Sequence, residues 1–366
     1  MTLKVNYGVI GCGMMGQEHL RNIAILDDAC VSAIFEPDDH MRSLSAELAP
    51  EAIFYDAVED LLTNPDINCL LIASPNFRHV EQLELAAKTR PLPLLIEKPL
   101  FTDPEDVGRI AELERTYPAP VWVAMEYRYM PPISAFIDKV REATGGLTML
   151  TIREHRFPFL PKVGDWNRFN RYSGGTLVEK CCHFFDLMRL IVGSEPVRVM
   201  ASAGQDVNHR DESYDGEVPD IWDGAFVIVE FENGVRAMLE LCMYAEGSEF
   251  QEEITAVGPA GKIEVKVPGP TRFWSDETRP PPVPKIIISP RDPAGPQEIE
   301  VPVDPDLLAV GDHNGATFYQ HQLFAEVVRE NSNPEVTISD GAIAVKMAMA
   351  AQLSAETGNA QVIPAR

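Results

Sequence analysis

The strand candidate 4–10 runs straight into Gly11-Cys12-Gly13-Met14-Met15-Gly16, and a helix candidate, 16–27, follows at once. A G-x-G-x-x-G turn held between a strand and a helix restricts the fold more than any other feature of this chain. The first glycine makes the tight turn, the second lets a pyrophosphate approach the backbone, and the third lets helix and strand pack closely. The helix start then offers amide donors and the positive end of its dipole. Gly11, Gly13, Met14, Met15 and Gly16 are therefore candidate dinucleotide contacts. Glu36 ends the next strand candidate, 30–35, twenty residues after Gly16. A carboxylate there accepts hydrogen bonds from the adenosine ribose hydroxyls. With Asp38 and Asp39 beside it, a ribose 2′-phosphate would meet three acidic groups, which favours NAD over NADP.

The alternation continues to about residue 126. Strand candidates 67–73, 93–97 and 120–125 are separated by helix candidates 38–48, 56–63, 77–89 and 103–116, with Asp38, Asp56 and Asp103 as helix caps. This pattern predicts a parallel sheet covered on both faces, an α/β Rossmann domain over residues 1–126. Ser74, Pro75, Asn76 and His79 follow the strand candidate 67–73. Open α/β sheets bind ligands at the carboxyl ends of their strands, so these residues are expected to line the cofactor cleft, with Ser74 or Asn76 also able to cap a helix.

The pattern changes near residue 127. Longer strand candidates follow at 147–157, 196–204, 222–231, 235–244, 250–257 and 262–267, and Asn233-Gly234 between two of them is a hairpin signal. They predict an α+β second domain, 127–366, with an open, mostly antiparallel mixed sheet. One helix candidate, 176–192, interrupts them behind Ser173-Gly174-Gly175-Thr176. Residues 268–296 are proline-rich and read as an irregular excursion. Two tail helices, 316–331 and 340–357, close the chain, the last packing back on the core.

The 366 residues carry a formal net charge of −25, which repels phosphate backbones and anionic lipid heads. Nucleic acid and membrane are excluded as main partners. No apolar run reaches the roughly 18 residues a membrane helix requires, and the first residues lack the apolar stretch of a signal peptide, so a cytoplasmic setting is expected. The six cysteines show no Cys-x-x-Cys spacing, which points to neither a zinc site nor a disulfide framework.

Glu97-Lys98-Pro99, at a strand end about 80 residues after the glycine turn, completes a set: glycine loop, Ser-Pro-Asn-x-x-His, Glu-Lys-Pro and a Gly-Gly-led helix, in that order. The set resembles the glucose–fructose oxidoreductase / inositol dehydrogenase / MocA family over nearly the whole chain. The resemblance implies a sugar substrate held between a nicotinamide and the second sheet, and pairing through that sheet into a homodimer or homotetramer. Glu97 and Trp166 are expected near the cofactor. Lys98 matches the family lysine that contacts substrate and helps move a proton, and partial burial beside a cationic nicotinamide is expected to lower its pKa. Glu179 and His183, four apart, share one face of the expected helix. The family carries Asp-x-x-x-His there, so His183 is the expected base and Glu179 the orienting acid, with one extra methylene.

Lys180 departs from the small polar residue some relatives have. Arg153, His155, Arg156, Lys162, Arg168 and Arg171 lie upstream. Arginine forks suit oxyanions and lysines suit point charges, so Arg156, Lys162, Arg168 and Lys180 are candidate contacts to an anionic sugar. A basic loop that merely balances acidic neighbours is the competing explanation. Tyr127, with Tyr129, Phe169 and Trp166, supplies rings for the flat C–H faces of a sugar, and His313 is a further candidate. The leading expectation is hydride transfer between NAD and a secondary hydroxyl. Two alternatives stay open: an NAD-dependent glycosidase acting on an anionic glycoside such as a sulfoquinovoside, and a non-catalytic NAD-binding regulator.

Overall fold

The computed structural model describes residues 3–274, 282–292 and 295–363. The chain runs β1 (Val5–Ile10), α1 (Met14–Ala24), β2 (Ala29–Phe35), α2 (Asp39–Leu48), β3 (Ile53–Tyr55), α3 (Val58–Thr63), β4 (Cys69–Ile72), α4 (His79–Thr89), β5 (Leu94–Ile96), α5 (Val107–Thr116) and β6 (Val121–Val123). These six strands form one parallel sheet in the order β3-β2-β1-β4-β5-β6. The reversal between β1 and β4 opens a crevice at the strand ends, where dinucleotides bind in this topology. β4, β5 and β6 are buried at every residue, as apolar runs sandwiched between helices should be.

The second lobe holds α6 (Pro131–Thr144), β7 (Met149–His155), α7 (Asn170–Ser173), α8 (Thr176–Glu179), α9 (Cys182–Val192), β8 (Pro196–Gly204), β9 (Gly224–Phe231), β10 (Arg236–Cys242), β11 (Glu252–Gly258), β12 (Gly261–Val267), β13 (Lys285–Pro290), β14 (Gln297–Glu300), α10 (Pro305–Val310), α11 (Ala316–Glu330), α12 (Ile338–Thr357) and β15 (Gln361–Val362). Among the described residues its nine strands lie in the order β14-β13-β12-β11-β7-β10-β9-β8-β15. Only β7 and β10 pair in parallel; the other pairs are antiparallel, so the sheet is mixed as expected. Ala237, Leu239 and Leu241 alternate inward along β10. α6, α9 and α12 cover the inner face, while Met149, Phe226 and Ile228 stay exposed on the other. Among the described residues no helix is long and apolar enough to cross a membrane.

Several local readings change. The helix expected at 176–192 is two: α8 stops at Glu179 and α9 starts at Cys182. α6 has no counterpart among the helix candidates: Pro131-Pro132 occupies its first turn, where proline forfeits no hydrogen bond. β13 lies inside the stretch taken as irregular, of which 275–281 and 293–294 fall outside the described residues. Asp38 and Asp103 cap as expected, through the amides of Met41 and Glu105. Asp56 does not cap: α3 begins one residue later behind Ala57, and Asp56 pairs with Arg42 at 3.0 Å.

Candidate active site

The glycine turn is built around contacts a side chain would destroy. A Cβ on Gly16 would stand 2.5 Å from the Gly11 carbonyl oxygen, and one on Gly11, at φ +89°, would stand 2.6 Å from the Ser74 backbone. Gly13 differs, because nothing lies within 4 Å of the place its Cβ would take. That open approach to the start of α1 fits a pyrophosphate. Glu36 is buried at the end of β2, accepting from the Cys12 amide at 2.6 Å and the Asp38 amide at 2.9 Å. Each carboxylate oxygen has two lone pairs, so Glu36 fastens the turn and keeps acceptor capacity for ribose hydroxyls. The residues present therefore fit NAD.

His79 is fully buried and ties two strand ends together, its Nδ1 2.8 Å from the Pro99 carbonyl and its Nε2 3.1 Å from that of Ser74. Burial lowers its pKa, against the pull of those carbonyls. Ser74 donates to Gln82, and Pro75 and Asn76 lead into α4, with the Asn76 amide nitrogen buried and unpartnered.

One cleft between the lobes is lined by Met14 and Met15 of the glycine turn, Lys98, Tyr127, Arg156, Lys162, Glu179, Lys180 and His183. Lys98 follows β5, and its Nζ donates to the Glu179 carbonyl at 3.4 Å. Amine and imidazole thus come from different lobes to one space. The Tyr127 ring stacks on His183, centroids 4.2 Å apart and planes 10° from parallel. The Arg128 guanidinium forks onto Asp186, one turn beyond His183, with both contacts at 2.5 Å. Breaking such a buried pair costs about 3–5 kcal/mol, so it holds α9, and with it His183, firmly.

Burial, reinforced by Lys98 and Lys180, holds the His183 pKa well below the usual imidazole value. The ring is neutral, able to accept a proton, and its Nδ1 is buried without a partner. Lys98 departs from expectation. Burial opposes its charge, but Cys182, Glu97, Glu126 and Glu179 around it leave its pKa raised. Glu97 is buried under it, and a chain of rings leads away from that carboxylate. His19 Nε2 lies 2.9 Å from Glu97 Oε1, His19 Nδ1 2.8 Å from His321 Nε2, and His321 Nδ1 3.1 Å from the Tyr7 hydroxyl. All four residues are buried.

Every cation of the expected anion site already has a carboxylate. Arg156 and Lys180 reach Glu154 Oε1 at 3.3 and 2.9 Å, Lys162 reaches Glu179 at 3.1 Å, and Arg168 reaches Glu212 at 3.1 Å. His155 meets Glu240 at 3.0 Å, Arg153 pairs with Glu253, and Arg171 pairs with Glu217. Arg168 does not line the cleft: it is buried behind the loop before α7, where Glu212 holds it. Trp166 is also absent from the lining, packed under the Lys162 ammonium at 4.5 Å and edge-on to Phe77. Lys180 is buried, donates to the Tyr127 hydroxyl at 2.5 Å, and has a pKa lowered by burial and by Arg156.

The cleft also contains acids that sequence reasoning missed. Glu126 is fully buried with neither oxygen hydrogen-bonded, and burial lifts its pKa to about 7. Its Oε1 lies 3.9 Å from His183 Nε2 and 3.7 Å from His313 Nε2. Glu252, opposite Glu154 in the β11–β7 register, is likewise raised to about 7, first by burial and then by Glu154. Glu18 on α1 accepts from Thr317 and from the Asp312 amide and pairs with His313 at 2.8 Å. Although burial works against each, the partnership holds Glu18 at about 2 and His313 at about 9. The visible signal for Glu126 was a lone carboxylate inside the apolar run 121–130. Among the described residues no cluster could hold a metal ion.

Comparison with known proteins accords with this geometry. The oxidoreductase family profile with an NAD-binding Rossmann fold matches residues 5–125, and the C-terminal alpha/beta domain profile of the same family matches 141–363. Inositol 2-dehydrogenase of Corynebacterium glutamicum (strain R) is 29% identical over 278 residues, 75% of this chain and 78% of that protein. Myo-inositol 2-dehydrogenase of Thermotoga maritima is 27% identical over 257 residues, 70% of this chain and 73% of that one. Among solved structures, a levoglucosan dehydrogenase complexed with NADH and levoglucosan superposes with a TM-score of 0.81 at 19% identity, covering 99% of this chain and 100% of that one. The two profiles together span most of the sequence, and the chain belongs to the glucose–fructose oxidoreductase / inositol dehydrogenase / MocA family of NAD-binding oxidoreductases.

Proposed function

We propose that this chain oxidises, reversibly, a secondary hydroxyl on a neutral, hydroxyl-rich ring, with NAD as the hydride partner. The observation that carries the reading is the meeting of Lys98 and a neutral His183 in one cleft with Met14 and Met15 of the glycine turn. Bound NAD accepts or returns the hydride. The other roles belong to the chain. His183 takes the hydroxyl proton, as a base of low pKa placed beside the reacting group can. Lys98, kept protonated by its carboxylate neighbours, donates a hydrogen bond that polarises the hydroxyl or carbonyl oxygen. Glu179, steadied by Lys162, orients the ring through its unpartnered Oε2. Gly11, Gly13, Gly16 and Glu36 hold the dinucleotide.

The electrostatics favour a neutral substrate. Arg156 and Lys180 share Glu154, Lys162 has Glu179 and Arg168 has Glu212, whereas Glu126, Glu179 and Glu252 keep buried acceptor oxygens without donors. Hydroxyl groups supply donors at no charge cost, and an anionic sugar would bring still more acceptors. The glycosidase alternative drew its appeal from free cations, and the pairing removes that support. Inositols, the substrates named by the relatives in the previous section, head the panel to test, followed by levoglucosan.

We also read residues 1–126 and 127–366 as the two functional lobes. The exposed Met149, Phe226 and Ile228 favour pairing of copies through the outer sheet face, as a homodimer or homotetramer. Light scattering on purified protein measures that state. For the activity, neutral polyols, anionic sugars and glycosides are offered with NAD, and NADH absorbance and aglycone release are followed together. NADH formation with neutral polyols is the expected result. Turnover confined to anionic sugars, or aglycone release without net NADH, would overturn the reading.

A further inference from the structure

Oxidising an alcohol leaves a proton on a base that is 2% exposed, so that proton requires a route out. Among the described residues, two chains that contain imidazoles leave the site. One runs from Glu97 through His19 and His321 to Tyr7, and it ends in the core, because all four residues are buried. The other begins at His183, crosses Glu126 and reaches His313, whose side chain is 20% exposed. We propose that Glu126 and His313 form the proton exit of this dehydrogenase, an inference that rests on the reaction proposed above.

Glu126 has the attributes of a relay group. It is wholly buried, both its oxygens lack hydrogen-bond partners, and one oxygen stands between two imidazole nitrogens at 3.9 and 3.7 Å. Those gaps are longer than a hydrogen bond and are closed by a small side-chain rotation or a bridging water. The groups that face it come from four elements: Glu97 and Lys98 after β5, His183 on α9, His313 before α11, and Glu18 on α1. Its pKa near 7 and that of His313 near 9 allow both to exchange protons around neutrality.

The steps balance. The substrate hydroxyl gives its hydride equivalent to NAD and its proton to the His183 ring. The imidazolium N–H bond then breaks as an O–H bond forms on Glu126. His313 releases its own proton to solvent and accepts the one from Glu126. One proton leaves per hydride transferred, and every residue returns to its starting state. In the reverse direction the same path delivers the proton. Glu18 is a positioning residue: its 2.8 Å contact with His313 Nδ1 leaves Nε2 facing Glu126.

The test compares NAD-loaded wild type with Glu126→Gln, His313→Gln and Tyr7→Phe on a polyol the wild type oxidises. Glu126→Gln and His313→Gln are expected to lower kcat about tenfold or more. They should also change the shape of its pH profile and recover rate when formate or imidazole is added. Tyr7→Phe, on the closed branch, should show no rescue. An unaltered pH profile in Glu126→Gln, or a loss that added formate and imidazole leave untouched, overturns the relay while the dehydrogenase reading stands. If wild type oxidises no alcohol, that reading fails. Histidine NMR then decides the relay: the His313 titration must move down in Glu126→Gln, and an unmoved titration rejects the coupling.

Discussion

Replacing Gly13 by alanine separates cofactor binding from folding. Its Cβ meets no protein atom within 4 Å, and its φ of −63° is ordinary for alanine. Two small effects on stability oppose each other. Alanine restricts the unfolded chain, worth about 0.4–1 kcal/mol, and it is a poorer helix N-cap than glycine by about half a kcal/mol. Net stability should stay within about 1 kcal/mol of wild type. The methyl group nevertheless occupies the space left for the pyrophosphate and pushes it off the amides of α1. Losing one charge-assisted hydrogen bond costs about 1.5–3 kcal/mol, or roughly tenfold to a hundredfold in Kd. Gly16→Ala is the contrast. Its Cβ would press a backbone oxygen at 2.5 Å, so the turn itself must open, at about 1–3 kcal/mol in stability as well as affinity. Calorimetric NAD titration and urea unfolding of both variants measure the two quantities. Wild-type NAD affinity in Gly13→Ala would refute the placement of the dinucleotide across this turn.

Two further outcomes are expected. His183→Asn should lower kcat by about a hundredfold or more while leaving the Kd for NAD unchanged, since its task is the substrate proton; single-turnover NADH formation checks this. The Glu18–His313 clasp should depend on pH at both ends. Glu18, depressed from 4.5 to about 2, stabilises fully above about pH 4.5 and loses this as pH falls toward 2. His313, raised from 6.5 to about 9, stabilises fully below about pH 6.5 and loses this as pH rises through 9. The Glu18–His313 pair is the largest favourable cause of both shifts, with Thr317, the Asp312 amide and Glu126 adding to them, so Glu18→Gln should cost about 3 kcal/mol between about pH 4.5 and 6.5 and less at alkaline pH; urea midpoints across pH read it, and a constant penalty would contradict it.

What the sequence disclosed was whatever depends on short-range spacing. The glycine turn, Glu36, Lys98 and the Glu179–His183 pair carry their geometry in a few consecutive residues, and Met14 and Met15 of the turn line one cleft with Lys98, Glu179 and His183. Glu179 and His183 converge there despite the broken helix, because the interruption at Lys180 and Cys181 still turns both inward. What stayed hidden depends on distant partners. The basic side chains between Arg153 and Arg171 looked available, yet Glu253, Glu240, Glu212 and Glu217 reach them across the sheet or from a loop far along the chain. Glu126 falls just after the strand candidate 120–125, and its burial against Glu97, Lys98, His183 and His313 emerges only when both lobes close on it. β13 was masked by prolines on both sides of an apolar run.

Neighbouring residues of α1, Glu18 and His19, both reach a distant segment: Glu18 meets Asp312, His313 and Thr317, and His19, which also holds Glu97, meets His321, 302 positions downstream. Until that segment arrives the Glu18 carboxylate lacks all three of these partners, whereas His19 already has Glu97 within its own lobe. The Glu18 contacts join residues 294 to 299 positions apart, which places them among the late, long-loop closures of folding. For protein engineering, the lobe is not a transplantable cassette: cut near residue 126, it would leave Glu18 without its partners and uncover the face of α1 on which α11 packs, beside its own phosphate turn.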